Sequence, residues 1–220
     1  MAPPSLQKAF HAVKEAVSEN ANSKLYIFLG GDHSITYATV KALKEILSGS
    51  WGLIYFDAHP DLYESYEGNP YSHACTVRRI VEEGIVNPQR IVQVGIRAST
   101  AEQTTYAKNH GISIVSTSEV YKNAKKAVFI ISEALNNVNN VYVSFDVDVL
   151  DPAFAPGVGN PEGGGIMLRN LIEIMHNLKG LNIRAFDVVE VNPDYDYMGV
   201  TFCSISKFIK EFLGIAVNKP

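Results

Sequence analysis

The sequence is poor in cysteine, in excess charge of either sign and in long apolar runs. It contains two cysteines, Cys75 and Cys203, which are too few for a disulfide framework or a Cys-rich zinc site. Lysine and arginine number 19 against 23 acidic residues, which excludes the strongly basic surface of a typical nucleic-acid-binding protein. No apolar run approaches the ~20 residues needed to cross a bilayer, so we expect no membrane contact.

Apolar residues make up 46% of the chain and charged residues 19%, as in ordinary soluble globular proteins. A chain of 220 residues can bury a sizeable core without disulfide bonds. No linker divides the sequence convincingly, so we expect a single domain over residues 1–220. The first residues, Met1–Ser5, lack the charged start and apolar stretch of a secretory signal, and we expect a cytoplasmic protein.

Short apolar runs alternate with longer amphipathic stretches along the chain. Helical spacing of apolar residues predicts helices at about 5–20, 34–47, 72–83, 118–134, 167–178 and 201–213. Continuous apolar runs predict strands at about 24–29, 52–57, 90–95, 112–115, 141–146 and 183–191. We interpret the Gly/Pro-rich stretch at 151–165 as a functional loop. The pattern predicts an α/β fold in which a mainly parallel sheet carries helices on both faces.

Acidic and histidine side chains follow four of the predicted strands. They are His33 after the first strand, Asp57, His59 and Asp61 after the second, Asp146 and Asp148 after the fifth, and Glu190 after the last. Side chains alternate along an extended chain, so the three residues after the second strand can point the same way. Because ligands collect beyond the carboxyl ends of parallel strands, we expect a functional site at this edge.

This set of side chains indicates a metal site. The four aspartates at one sheet edge repel one another, and two divalent cations cancel their formal charge. Imidazole and carboxylate ligands without thiolate suit Mn²⁺ and, less distinctively, Fe, Co or Zn. Two such ions lie ~3.5–4 Å apart, with room for a shared carboxylate and a bridging hydroxide, which predicts a binuclear metallohydrolase. The plainer alternatives are a helix cap by Asp32 or Ser34, a solvated turn at 57–61 and a salt bridge at 146–148.

Four motifs occur in an order that resembles the ureohydrolases, the family of arginases and agmatinases. They are Gly-Gly-Asp-His-Ser at 30–34, Asp-Ala-His-Pro-Asp at 57–61, Ser-Phe-Asp-Val-Asp-Val-Leu-Asp-Pro at 144–152 and Val-Glu-Val-Asn-Pro at 189–193. Tyr-Ser-His-Ala-Cys at 71–75 resembles the agmatinase branch, particularly its archaeal-type members. The similarity runs from about Leu25 to the C-terminus. It implies an arginase-like three-layer fold that holds two Mn²⁺ ions.

The resemblance also implies a role for each site residue. By motif match, the six metal ligands are His33, Asp57, His59, Asp61, Asp146 and Asp148. The implied reaction is attack of a metal-bridging hydroxide on a guanidinium, giving urea and an amine. His73 is the candidate proton shuttle, against the alternative of a solvent-facing residue at a helix start. Glu190 is the candidate clamp for the guanidinium, against an ion pair with Arg184.

Two glutamates in the polar loop, Glu64 and Glu67, bear on the substrate. Agmatine lacks the α-carboxylate of arginine, and these glutamates would repel that carboxylate if they face it. We therefore expect hydrolysis of agmatine to putrescine and urea, with arginine or another guanidino compound as the alternative. Cys75 is interpreted as a packed residue, and Asp151 and Asp187 as structural ones.

The sequence departs from the family pattern mainly at its start. Family members usually carry a further strand, a helix and loops before the first motif, which here arrives by residue 30. We therefore expect the fold to lack the family's usual N-terminal segment and to expose a sheet edge or apolar surface. Thr76, Val77 and Asn170 are smaller departures.

Two competing hypotheses concern the class of protein. One is a truncated, non-catalytic metal-binding subunit, which the short N-terminal region motivates. The second is a single-zinc amide deacetylase of similar fold, although two histidines and four carboxylates favour two metals. The resemblance further implies a homo-oligomer, either a trimer or a hexamer.

Overall fold

A computed structural model describes residues 3–178 and 180–217 of the chain. Its strands are β1 (Tyr26–Leu29), β2 (Trp51–Phe56), β3 (Ile91–Ile96), β4 (Ser113–Ser116), β5 (Asn140–Asp146) and β6 (Ile183–Val189). Its helices are α1 (Pro4–Glu19), α2 (Ser34–Ile46), α3 (Thr76–Glu82), α4 (Ala101–His110), α5 (Thr117–Lys122), α6 (Ala124–Ala134), α7 (Leu168–Asn177) and α8 (Val200–Val217).

The strands form one sheet in the order β1-β6-β5-β2-β3-β4, and every neighbouring pair is parallel. Helices cover both faces of the sheet: buried residues of α1–α4 form one core and those of α5–α8 the other. Every residue of β2, β3 and β5 is buried, which explains their continuous apolar sequences. The predicted α/β class with a parallel sheet between two helical layers is confirmed.

Aromatic side chains fix α8 against the sheet. Phe208 stacks on Phe145 with ring centroids 4.1 Å apart, and Phe212 stacks on Phe186 at 4.2 Å. All four rings are buried. This contact holds the layer that follows β6, so it also fixes where the chain leaves that strand.

The strand order decides where a ligand can bind. From β2 the chain continues outward through β3 to β4, whereas β5 and β6 lie on the other side of β2. The sheet therefore reverses its direction of winding between β2 and β5. Crevices at such reversal points, beyond the carboxyl ends of the strands, are the usual ligand sites of parallel sheets.

The helical predictions need two corrections. The helix predicted at 118–134 is two helices, α5 and α6, and Ser116 caps the first. The chain breaks at Asn123, which has extended backbone angles and whose side chain accepts a hydrogen bond from the backbone N–H of Lys126. Helix α4 was not predicted because few of its residues are apolar, although a Thr100–Gln103 capping box and the left-handed Gly111 mark its ends.

Strand β1 lies at one edge of the sheet, and Leu29 at its end is 74% exposed. The expectation of an exposed sheet edge with apolar side chains therefore holds for this strand. Among the described residues, no helix combines the length and apolar character that a membrane crossing requires.

Candidate metal centre and active-site cavity

His33 lies among three carboxylates at the beginning of α2. Its Nδ1 atom is 3.0 Å from Oδ2 of Asp57, 3.0 Å from Oδ2 of Asp146 and 3.5 Å from Oδ2 of Asp61. All four side chains are buried. The turn from β1 into α2 is tight, because a Cβ at Gly30 would lie 1.9 Å from Ile35 Cδ1. Glycine at this position thus allows the sheet edge to deliver His33 to the ends of β2 and β5.

His59 forms a second group with Asp57 and Asp148. Its Nδ1 atom is 2.8 Å from Oδ2 of Asp148 and 3.5 Å from Oδ1 of Asp57. The backbone fixes these carboxylates: the N–H of Ala58 donates to Asp148 Oδ1 at 3.0 Å, and the N–H of His59 donates to Asp57 Oδ1 at 2.6 Å. Asp57 therefore belongs to both groups, with one oxygen facing each histidine.

The metal-free cluster perturbs its own pKa values. Burial alone would lower the pKa of His59, but its contacts with Asp148 and Asp57 outweigh burial and raise that pKa to about 11. Burial, followed by the charge of Asp57, raises the pKa of Asp61 and of Asp148. Burial would also raise the pKa of Asp57, yet its two histidine neighbours lower it to about 2. The cluster needs positive charge, which the histidines supply as imidazolium in this state.

The residues present fit a pair of divalent cations. Nδ1 of His33 or His59 and the carboxylate oxygens around it come within 4.8 Å of one another in each of the two groups that share Asp57. Oδ2 of Asp57 is buried, and although His33 Nδ1 is 3.0 Å away, no described residue donates a well-directed hydrogen bond to it. The other ring nitrogen of His33, Nε2, contacts Ser144 Oγ at 2.8 Å, which leaves Nδ1 to face the carboxylates. The donor set of oxygen and imidazole nitrogen suits a first-row divalent metal.

Glu190 and His73 lie in the walls of a cavity above this cluster. Glu190 has left-handed backbone angles, with φ at 64°, and its Oε1 accepts the backbone N–H of His33 at 2.6 Å. That contact replaces the alternative ion pair with Arg184. Burial raises the pKa of Glu190. His73 begins a 3₁₀ turn ahead of α3 and contacts the ring of Tyr66, with centroids 5.7 Å apart.

The cavity has a volume of about 220 Å³. Five of the six sequence-predicted metal residues line it, and Asp57 lies buried beneath them. Glu64 and Glu67 do not face the cavity, so the substrate argument drawn from their charge does not hold: both side chains are exposed and neither lines the wall. Tyr63 and Tyr66 from the same loop line it instead.

Sequence reasoning missed three further polar wall residues, Gln103, Asn160 and Glu162. Glu162 Oε1 lies 3.8 Å from His59 Nε2, and about half of its side chain is exposed. A signal for Asn160 and Glu162 was available, since both belong to the Gly/Pro-rich segment interpreted as a functional loop. Gln103 gave no such signal, because it lies on α4. No lysine or arginine lines the described cavity.

Comparisons with known proteins agree with this geometry. The model of the arginase family matches residues 1–214. Arginase 1, mitochondrial, of Oryza sativa subsp. indica is 43% identical over 189 residues, covering 84% of this chain and 53% of that protein. Guanidinopropionase of Pseudomonas aeruginosa is 39% identical over 185 residues, covering 83% of this chain and 58% of that protein. The crystal structure of agmatine ureohydrolase of Thermoplasma volcanium superposes with a TM-score of 0.83 at 32% identity, covering 96% of this chain and 69% of that one.

The relatives differ in the substrates that their names give, and they are longer. This chain spans between 52% and 60% of the length of the curated relatives it matches. The similarity nevertheless covers both His/Asp groups, the cavity and all six strands. The chain belongs to the arginase family.

Proposed function

We propose that this chain is the catalytic domain of a binuclear manganese hydrolase that cleaves a guanidino compound into urea and an amine. The observation that carries the proposal is Asp57, which has one carboxylate oxygen facing His33 and the other facing His59. A carboxylate shared in this way suits two adjacent cations better than one. The cavity opens directly onto the pair, so a small substrate has access to both.

Each residue of the two groups has a proposed place. His33, Asp57, Asp61 and Asp146 would hold one ion, and Asp57, His59 and Asp148 would hold the other. When bound, the two ions lower the pKa of a water molecule and stabilise negative charge that develops on the substrate. The two histidines then act as neutral ligands through Nδ1, and the carboxylates remain ionised.

Glu190 is proposed to orient the guanidinium. One of its oxygens already accepts the N–H of His33, so the clamp is fixed relative to the metal group. The remaining lone pairs can accept two N–H groups of a planar guanidinium, which directs its central carbon toward the cluster. Glu190 has a left-handed backbone conformation, which costs a non-glycine residue ~1–3 kcal/mol. Such a cost supports a functional role for this position.

His73 is proposed to give a proton to the leaving nitrogen. Hydrolysis of a protonated guanidinium by water breaks one C–N bond, forms the C=O bond of urea and releases the amine, which leaves as an ammonium. The breaking C–N bond therefore needs a proton on its nitrogen. His73 lies in the cavity wall, half-buried beside Tyr66, where its imidazole is within reach of a substrate in the cavity.

The electrostatics of the wall support agmatine as the substrate, which would yield putrescine. Glu162 places a carboxylate at the side of the cavity, and no described wall residue is a lysine or arginine. A substrate with an ammonium group at the end opposite its guanidinium can pair with the Glu162 carboxylate. A substrate with a carboxylate at that end finds no lysine or arginine among the described wall residues. Arginine, which carries both groups, is the second substrate to compare.

Urea release from Mn²⁺-loaded protein tests the proposal. Agmatine, arginine and 3-guanidinopropionate are compared on one preparation, with bound metal counted on the same sample. We expect two Mn²⁺ per chain and urea from agmatine first. Urea from arginine or the guanidino acid alone would keep the reaction and replace the substrate. Two bound ions with no urea from any compound would favour a non-catalytic subunit, and one ion per chain would favour a single-metal deacetylase.

We further propose that the protein works in the cytoplasm as a homo-oligomer. The cysteines Cys75 and Cys203 are both free, as expected in a reducing compartment. Large apolar side chains are exposed at the β1 edge and at the start of α8, including Leu29 and Phe202. Exposed apolar surface of this kind supports self-association.

A further inference from the structure

Arg97 directly follows β3, and its side chain forms hydrogen bonds to two separate segments next to the cavity. Its Nη2 atom donates to the carbonyl oxygens of Asp148 at 2.6 Å and Glu162 at 2.8 Å. Nη1 donates to the carbonyl of Val149 at 3.2 Å, and longer contacts reach Leu150 and Gly95. The Arg97 guanidinium therefore connects, through hydrogen bonds, the turn that contains Asp148 and the loop that contains Glu162. Among the described residues, no carboxylate forms a direct ion pair with it.

The backbone of the same residue holds a third segment. The N–H of Arg97 donates to the carbonyl of Ala58 at 2.9 Å, and the N–H of Ala98 donates to it at 3.0 Å. Ala58 lies between Asp57 and His59, and its own N–H donates to Asp148 Oδ1. Residue 97 thus ties the end of β2 to the end of β5 from both its backbone and its side chain.

An irregularity in β3 aims Arg97 at these segments. The pairing of β3 with β4 shifts register between Val94 and Ile96, and Gly95 between them has φ at +100°. A Cβ at Gly95 would lie 2.4 Å from Val149 Cγ2, so only glycine lets β3 approach the Asp148 turn this closely. Bulges of this kind redirect side chains near functional sites.

We propose that Arg97 is a positioning residue for the metal group of Asp57, His59 and Asp148. It sets the distance between the β2 and β5 segments that carry this group without touching the metal itself. The group around His33 depends on it less, because contacts away from Arg97 fix its members: Tyr55 Oη donates to Asp61 Oδ2 at 2.6 Å, and His33 Nε2 contacts Ser144 Oγ at 2.8 Å. This inference rests on the proposed function, since it presupposes two ions.

The test is a calorimetric titration of metal-free wild type, R97K and R97Q with Mn²⁺, together with electron paramagnetic resonance of the loaded samples. Lysine keeps the charge but places its donors on one nitrogen, so it cannot span the separated carbonyls. R78K is the matched control: Arg78 also donates to a backbone carbonyl, that of Leu62, and stacks on Tyr106, but it does not touch this group. If R97Q does not fold, the Mn²⁺ affinities of R97K alone test the proposal.

We expect R97K to bind one ion as the wild type does and the second about 10–100-fold more weakly, with the spin-coupled signal lost at limiting Mn²⁺ and restored by excess. R78K should keep both affinities. Two ions bound by R97K with wild-type affinities, or both weakened equally, would overturn the positioning role and leave the proposed function intact. A wild type that binds no pair of ions would overturn the proposed function itself and the inference with it.

Discussion

Asp148 is the carboxylate whose loss should separate the two metal groups. It belongs to the His59 group only, and its Oδ2 is 2.8 Å from His59 Nδ1. We predict that Asp148→Asn lowers the affinity for the second ion and reduces urea formation by at least ~100-fold, because an amide brings no negative charge to the cation. Metal content and urea release on the same sample measure both effects.

The ion held by the His33 group should remain in this variant, which serves as an internal control. Wild-type metal content together with a wild-type rate in Asp148→Asn would contradict the assignment of Asp148 as a ligand. Loss of both ions would instead mean that the two groups do not bind separately.

Glu190→Gln should separate substrate binding from metal binding. The variant keeps the shape of the side chain but replaces a charged acceptor by a neutral one, and a hydrogen bond to a charged group is worth ~1.5–3 kcal/mol. We predict two bound Mn²⁺ and a kcat/KM for agmatine that is lower by about 10–100-fold. Glu64→Gln is the matched control, because Glu64 is an exposed glutamate outside the cavity. Loss of metal in Glu190→Gln would show that the residue acts on the cluster rather than on the guanidinium.

At the scale of residues, the sequence indicated which side chains gather in the two His/Asp groups but not the residues that support them. His33, Asp57 and Asp148 come within four residues of the ends of β1, β2 and β5, so a parallel sheet brings them to one edge. Arg97 and Glu162 reach the site through a bulge and a long loop, and neither geometry has a periodic signal. Hydrogen bonds from Arg97 to carbonyls more than 50 residues away depend on the fold and are not visible in a local pattern.

Helix α8 should contribute much of the stability of the sheet through Phe208. This ring is buried and stacks on Phe145. We predict that Phe208→Ala lowers the free energy of unfolding by about 3–5 kcal/mol, because it removes a buried ring and leaves a cavity. Phe129→Ala on α6 is the control; that ring is 64% exposed, and we expect a change below ~0.5 kcal/mol. Urea denaturation measures both, and equal losses would contradict the packing described for α8.

At the scale of elements, the sequence predicted buried strands and helices more accurately than exposed ones. The strands β2, β3 and β5 were predicted within about a residue of their ends, since they are buried on both faces. Helix α4 was missed because only Gln103 and Ala107 of it are buried, so its sequence has little apolar periodicity. The break between α5 and α6 depends on the side chain of Asn123, a local competition that an apolar pattern does not record.

For the whole molecule, the metal-free protein should lose stability as the pH rises, and the stabilisation by bound metal should grow over the same range. In the metal-free state the pKa of His59 is raised from 6.5 to about 11, so its contribution is present below pH 6.5 and is lost as the pH rises toward 11. The raised pKa values of Asp61 and Asp148 act in the same direction, because the folded state holds protons that the unfolded state has released. We predict that the metal-free Tm falls between pH 6.5 and 8.5.

Bound Mn²⁺ replaces these protons, so metal affinity should rise over the same range. The difference in Tm between loaded and metal-free protein should therefore widen from pH 6.5 to 8.5, at about 2–4 °C for each kcal/mol gained. Differential scanning calorimetry with and without Mn²⁺ provides the comparison. If the Tm difference between loaded and metal-free protein narrows as the pH rises, metal binding does not displace protons from the cluster.

Counting and characterising the bound ions tests the central claim, a two-ion centre that shares Asp57. Metal-free protein is titrated with Mn²⁺ while electron paramagnetic resonance follows the signal. We predict saturation at two Mn²⁺ per chain and a spin-coupled spectrum, because two ions that share a carboxylate lie only ~3.5–4 Å apart. Saturation at one ion per chain, or two ions with uncoupled spectra, would contradict it.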